Sequence, residues 1–170
     1  TWGAVITMFL VALNNAYAPA LYKKLAVFDG NREGTIMEQK KLVKWIWISL
    51  GVTLVFTIVA CLVSMLLIFV MYPSSYYDSI YFLPWVMLGQ FFYGCYLMFV
   101  CFVHYTFKTK VLGVITFFWS VVQVGLTYML ISWIGAIGSA VSAAIISAIT
   151  FVFVAGYAMR VYKLPWFSYK

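Results

Sequence analysis

Few side chains in this sequence could do chemistry. Its acids are Asp29, Glu33, Glu38 and Asp78, its single histidine is His104, and its cysteines are Cys61, Cys95 and Cys101. Catalysis needs a nucleophile, an acid or a metal with its partners in reach. The acids all fall between apolar runs, and the chain has no carboxylate pair, no glycine-rich phosphate loop and no Ser/His/Asp set. The cysteines lie inside apolar runs without CxxC spacing. There Cys behaves as a small apolar residue, not as a metal or redox ligand. His104 reads either as a proton carrier or as a polar residue at a membrane interface, and a relay would want a partner carboxylate that is not apparent. The chain is therefore expected to be non-enzymatic, with no metal and no cofactor.

More informative are the uncharged polar residues set inside apolar runs: Asn14, Asn15 and Tyr17, then Gln90 and Gln123. An amide in lipid is costly unless it bonds to another helix or faces water. Two readings stand open. These five residues line a hydrated cavity for polar, uncharged groups such as sugars, or they make hydrogen bonds between helices, each worth about 1 kcal/mol or less. Asn14 and Asn15 point about 100° apart on a helix, so one partner helix cannot easily satisfy both. Pro19 removes a backbone hydrogen bond and is expected to kink the same helix near its inner end. Broken helices commonly line the central sites of transporters.

The elements that hold these groups follow from composition. Apolar residues make up 66% of the 170 and charged residues only 9%, where a soluble domain carries roughly 25% charged residues. Such a chain cannot cover its own core with polar surface in water, and lipid removes that need. The fold class expected is all-α, a polytopic membrane helical bundle. Five stretches reach the roughly 20 residues needed to cross a bilayer, at about 3–22, 45–72, 80–105, 111–132 and 136–159. A spanning β-strand would alternate apolar and polar residues, and 52–71 does not.

The charges check this count. The net charge of +7 would suggest nucleic acid only if it formed a basic patch on a soluble face. Instead Lys23, Lys24, Arg32, Lys40, Lys41 and Lys44 share one gap, Lys108 and Lys110 another, and Arg160, Lys163 and Lys170 the tail. With five spans, all eleven basic residues fall on one side of the membrane. Lys and Arg mark the cytoplasmic side, so Lys170 is expected inside and Thr1 outside, with no nucleic-acid partner. Trp45, Trp47, Tyr105, Tyr162 and Trp166 then sit at inner boundaries, and Trp2, Tyr76, Tyr77, Tyr81, Trp85 and Trp133 at outer ones, as interfacial aromatics do. Trp119 lies mid-span and reads as a packing residue. In the fifth span, Gly135, Ser139, Ala143 and Ser147 recur every four residues, as do Ala136, Ala140, Ala144 and Ala148. Such rows let a second helix approach closely, either as static packing or as a sliding surface.

The chain opens at Thr1-Trp2-Gly3, inside an apolar run, with no initiating Met and no secretory signal pattern. It reads as a fragment of a longer protein and as one transmembrane domain over 1–170. The order of features has a likeness. A first span ends in Ala18-Pro19-Ala20-Leu21-Tyr22-Lys23-Lys24, and a basic loop and a long apolar span lead to Tyr76-Tyr77. Next come Tyr81-Phe82-Leu83-Pro84-Trp85-Val86-Met87-Leu88-Gly89-Gln90-Phe91-Phe92-Tyr93-Gly94, the turn Lys108-Thr109-Lys110, and Gly135-Ala136-Ile137-Gly138-Ser139-Ala140. Over nearly its whole length the chain resembles the C-terminal half of bacterial polysaccharide flippases, the O-antigen and capsule repeat-unit transporters of the multidrug/oligosaccharidyl-lipid/polysaccharide exporter superfamily.

That resemblance implies a two-lobe transporter of about twelve to fourteen helices, of which this chain is the C-terminal lobe lacking its first helix. It implies a multi-pass protein of the bacterial inner membrane. It also implies alternating access around a central cavity, with undecaprenyl-diphosphate-linked oligosaccharide carried from the inner to the outer leaflet. Asn14, Asn15 and Tyr17 would lie on a cavity-lining helix. The implied partners are the lipid-linked oligosaccharide, membrane lipids, the N-terminal lobe and polysaccharide polymerase machinery. In one respect the sequence departs from the pattern: flippases of anionic substrates are expected to carry Arg or Lys in the cavity, and no span here contains a charge. A cation-coupled multidrug exporter of the same superfamily is an alternative that would want a membrane-buried carboxylate. A membrane enzyme such as a polymerase would want a long outer loop, and a non-transporting scaffold is a further possibility.

Overall fold

The computed structural model describes residues 2–30, 36–106 and 109–161, with side chains for all of these except 2–5, 27–30, 36–38 and 74–76. Thr1, Arg32, Glu33, Lys108, Tyr162, Lys163, Trp166 and Lys170 lie outside the described residues, and so do the side chains of Trp2, Asp29, Glu38 and Tyr76. The chain is an all-α bundle. Helices α1 (Trp2–Gly30), α2 (Ile36–Met71), α3 (Leu83–Tyr105), α4 (Thr109–Ile134) and α5 (Ile137–Val161) follow in order, with a 3-10 segment over Ser74–Tyr81 between α2 and α3. There is no strand among the described residues.

Among the described residues, four stretches are long and apolar enough to cross a membrane: Gln39–Met71, Tyr77–Tyr105, Thr109–Ile134 and Ile137–Val161. This is compatible with a multi-pass membrane protein. The fifth expected span lies in α1, a helix of 29 residues whose opening side chains, 2–5, are outside those described. It is the least apolar of the five, because Asn14, Asn15, Pro19, Lys23 and Lys24 all lie within it.

Helix ends and apolar ends do not coincide. The basic gap expected over 23–44 is mostly helical, since α1 runs on past Lys23 and Lys24 and α2 starts at Ile36. Lys, Gln, Glu and Leu are good helix formers, so charge marks where lipid stops and not where the helix stops. Two prolines mark the junction of α2 and α3. Pro73 precedes the 3-10 segment with φ −59° and ψ 158°, and Pro84 opens α3 in its first turn, where its missing N–H costs nothing. Pro19, by contrast, sits inside α1, which continues through it. The carbonyl of Asn15 thereby loses its helical partner.

α3 is the hub: it packs against α1, α2 and most extensively α5, while α4 leans on α5. α3 and α5 approach closely at Gly89, where an added Cβ would lie 3.5 Å from the Cα of Ala144. Of the two small-residue rows, the one through Ala140 and Ala144 is buried in this crossing. In the other, Gly135 forms the α4–α5 turn, Ser139 is exposed, and Ala143 and Ser147 are half-buried. Gly135 takes φ +72°, the left-handed cap that glycine adopts without strain, and its N–H bonds to the Ile131 carbonyl at 2.9 Å.

Two clusters fill the bundle. One joins Tyr17, Leu21, Leu25, Leu42, Ile46, Phe102, Val103, Val154 and Ala158, and a smaller one joins Ile6, Leu10, Ile68, Leu83 and Met87. Outside them, α2 and α4 expose apolar side chains along their lengths, including Val52, Val59, Leu66, Val70, Val114, Phe117, Val121 and Val124. In water this surface would be unstable, and in lipid it is the required one. Because lipid tails are as apolar as Leu, cohesion here rests on close packing more than on the hydrophobic effect.

The tightest packing is predicted to carry measurable stability. A Cβ at Gly138 would collide with the backbone carbonyl of Leu130, which cannot yield as a flexible side chain does. Gly138→Ala should cost about 1–3 kcal/mol. Gly125→Ala, on α4 with nothing within 4 Å, should stabilise by up to about 1 kcal/mol. Thermal unfolding in detergent, followed by helical circular dichroism, reads both; equal midpoints would contradict the close α4–α5 hairpin.

Candidate functional site

Three helices each turn a set of residues spaced i, i+4, i+7 toward one another, the spacing that puts side chains on a single helix face. α3 contributes Gly89, Tyr93 and Tyr96, α4 contributes Thr116, Ser120 and Gln123, and α5 contributes Ala143, Ser147 and Thr150. Two cavities share Tyr93 and Ser147, the first between α3, α4 and α5 and the second between α1, α3 and α5. The first, of about 170 Å³, is lined by Tyr93, Tyr96, Thr116, Trp119, Ser120, Gln123, Ile146, Ser147 and Thr150. The second, of about 220 Å³, is lined by Thr7, Trp85, Val86, Gly89, Gln90, Tyr93, Ala143 and Ser147. No charged side chain lines either one.

The lining offers hydroxyls, amides and aromatic faces. The Thr116 hydroxyl donates to the Leu112 carbonyl at 2.9 Å and the Ser120 hydroxyl to the Thr116 carbonyl at 2.8 Å. Their hydrogens are therefore committed to the backbone, which leaves oxygen lone pairs to accept from a guest. Tyr93 and Tyr96 stack with ring centroids 5.9 Å apart. Trp119 is braced edge-on by Phe118 at 5.4 Å and by the tilted ring of Phe153 at 5.2 Å. Cavities walled by aromatic rings with a few polar groups suit small organic ligands.

The expected polar residues separate into three groups. Gln123 lines the first cavity and Gln90 the second, in different states. The Gln90 amide oxygen accepts from the Thr7 hydroxyl at 2.7 Å, a bond between α3 and α1. Gln123 takes no hydrogen-bond partner among the described residues. Asn14 and Tyr17 belong to a second cluster between α1, α2 and α3. There the Cys101 thiol donates to the Asn14 side-chain oxygen at 3.4 Å. Tyr17 stacks on Trp45 at 4.6 Å with an interplanar angle of 8°, and its buried hydroxyl has no hydrogen-bond partner among the described residues. Asn15 is exposed on α1. None of these three lines either cavity.

His104 is exposed in the last turn of α3 and touches neither cavity. Cys95 and Cys101 are buried and free, Cys61 half-buried and free. Among the described residues, no group of three or more His, Cys, Asp or Glu could hold a metal. Tyr93, Tyr96, Thr116, Trp119, Ser120 and Thr150 were not expected from the sequence as site residues. A usable signal was present: Thr116, Ser120 and Gln123 form a polar stripe at helical spacing in an otherwise apolar span. Comparison with protein-family models, curated proteins and solved structures gave no match.

The two glutamines should respond differently to change. A double-mutant cycle of Thr7→Val with Gln90→Leu is expected to give a coupling of about 1 kcal/mol. Gln123→Leu, which breaks no bond, should change stability by less than about 0.5 kcal/mol. Absent coupling between Thr7 and Gln90 would remove the bond as a structural tie.

Proposed function

We propose that this chain is the C-terminal lobe of a transporter that moves undecaprenyl-diphosphate-linked oligosaccharide across the bacterial cytoplasmic membrane, for O-antigen, capsule or a similar surface polysaccharide. The observation that carries the proposal is the uncharged, aromatic and hydroxyl-rich cavity between α3, α4 and α5, joined through Tyr93 and Ser147 to a second against α1, in an otherwise apolar bundle. Sugar rings present hydroxyls at their edges and C–H groups on their faces. Amides and hydroxyls such as those of Gln123 and Ser147 pair with the former, and aromatic planes such as Trp119 and Tyr96 cover the latter. A partnerless amide in a membrane needs water or a guest, and the free Gln123 fits that requirement. The sequence likeness to polysaccharide flippases supports the same function. In this proposal Asn15, exposed on α1, belongs to the wall that meets the N-terminal lobe, with Asn14 and Tyr17 behind it. The C-terminus lies in the cytoplasm, and the lobes rock to expose the cavity to each leaflet in turn.

Deletion of the full gene in its host, followed by assay of undecaprenyl-linked oligosaccharide in each leaflet, tests this. Build-up on the cytoplasmic side with loss of surface polysaccharide is expected. Trp119→Ala and Gln123→Leu should each lower export at least tenfold, with normal amounts of protein in the membrane, which corresponds to about 1.4 kcal/mol of lost binding. Unchanged lipid-linked sugar after deletion would reject the proposal. Altered drug sensitivity alone would then favour a cation-coupled exporter, and no transport phenotype a scaffold.

A further inference from the structure

We infer that the corner where α1 meets the start of α2 binds the phosphate headgroup of an acidic lipid. Lys23 and Lys24 of α1, and Lys41 and Lys44 of α2, are all exposed there. The two helices meet here: the Lys24 Nζ lies over the Trp45 ring, 4.3 Å from its centroid, and Trp45 follows Lys44 directly and Lys41 by one turn. Trp45 is itself fixed by the parallel ring of Tyr17. Lys24 is thus held at one place by a cation–π contact and keeps its ammonium hydrogens for an anion. Among the described side chains of this corner, every charge is positive. Clusters of lysines beside a membrane span attract anionic headgroups.

The face of α2 below them identifies the occupant as a lipid and not a soluble phosphate. Ile48, Val52, Val55 and Val59 continue from Lys44 at helical spacing on the same face, and each is more than half exposed. Phosphate at the lysines would place the hydrocarbon tail along this stripe. Two headgroup sources share the chemistry, the acidic phospholipids of the bilayer and an isoprenoid diphosphate. The site does not depend on what the α3–α5 groove carries.

The test is equilibrium binding of short-chain phosphatidylglycerol and of farnesyl diphosphate to the full protein in detergent at fixed ionic strength. Phosphatidylcholine and pyrophosphate serve as comparisons. Lys24→Gln and Lys41→Gln should each weaken acidic-lipid binding about fivefold, while Lys24→Arg binds as the native protein does. Lys110→Gln removes an exposed lysine at the start of α4 and should leave affinity unchanged. Tighter binding of phosphatidylglycerol assigns the site to the bilayer, and tighter binding of farnesyl diphosphate assigns it to an isoprenoid carrier. Equal affinity in the native and Gln variants would overturn the site. So would an equal loss on Lys110→Gln, or pyrophosphate binding as tightly as either lipid.

Discussion

Hydrocarbon supplies no hydrogen bonds, so every polar group within a membrane bundle must find a partner inside the protein or reach water. Much of this structure follows from how that requirement is met. Ser49, Thr53 and Thr57 return their hydroxyls to carbonyls one turn earlier in α2. Thr127 and Ser142 pair across α4 and α5 at 2.7 Å. Thr7 pairs with Gln90 across α1 and α3, and Cys101 with Asn14. Once these are accounted for, the free amide of Gln123 stands apart on a cavity that no charge lines, with the buried hydroxyl of Tyr17 a second exception.

Packing explains why the groove stays open. α3 and α5 approach through Gly89 and Ala144, close enough to exclude any side chain between them. α4 is tied to α5 by the Gly135 turn and by Gly138 against Leu130, and buries only Leu112. With bulky Tyr93, Tyr96 and Trp119 filling the angle between the three helices, small Ala143 and Ser147 leave space in place of contact. The lysine corner lies toward the other end of α3. Tyr22, two residues before Lys24, stacks on Tyr105, and Tyr105 is nine residues beyond Tyr96, about 14 Å along the helix. The neutral groove and the cationic corner are thus separate along the bundle.

Hydropathy alone made the all-α bundle legible. The ends of α1 and α2 were not legible, because lysine-rich sequence continues a helix as readily as apolar sequence does. Gln90 and Gln123 were identifiable as amides in apolar runs, but their difference was not, since it depends on Thr7 lying across the bundle, 83 residues away. Trp119 looked like packing because a lone aromatic in a span usually is. Its site is made by Tyr93, Tyr96 and Ser147 from two other helices. The row of Gly135, Ser139, Ala143 and Ser147 matched a packing motif by spacing, yet the adjacent row through Ala140 and Ala144 makes the close contact, a choice set by the rotation of α5.

The central claim is that the α3–α5 groove is wet while the faces beside it are lipid-bound. Cysteine labelling in native membranes tests it directly, in protein whose Cys61, Cys95 and Cys101 are replaced by Ala. A water-soluble, membrane-impermeant thiol reagent should label Ser147→Cys, which lines both cavities. It should spare Val124→Cys, which is 74% exposed on the outer face of α4. Labelling of Val124→Cys, or none of Ser147→Cys, would contradict a hydrated groove in a lipid-facing bundle.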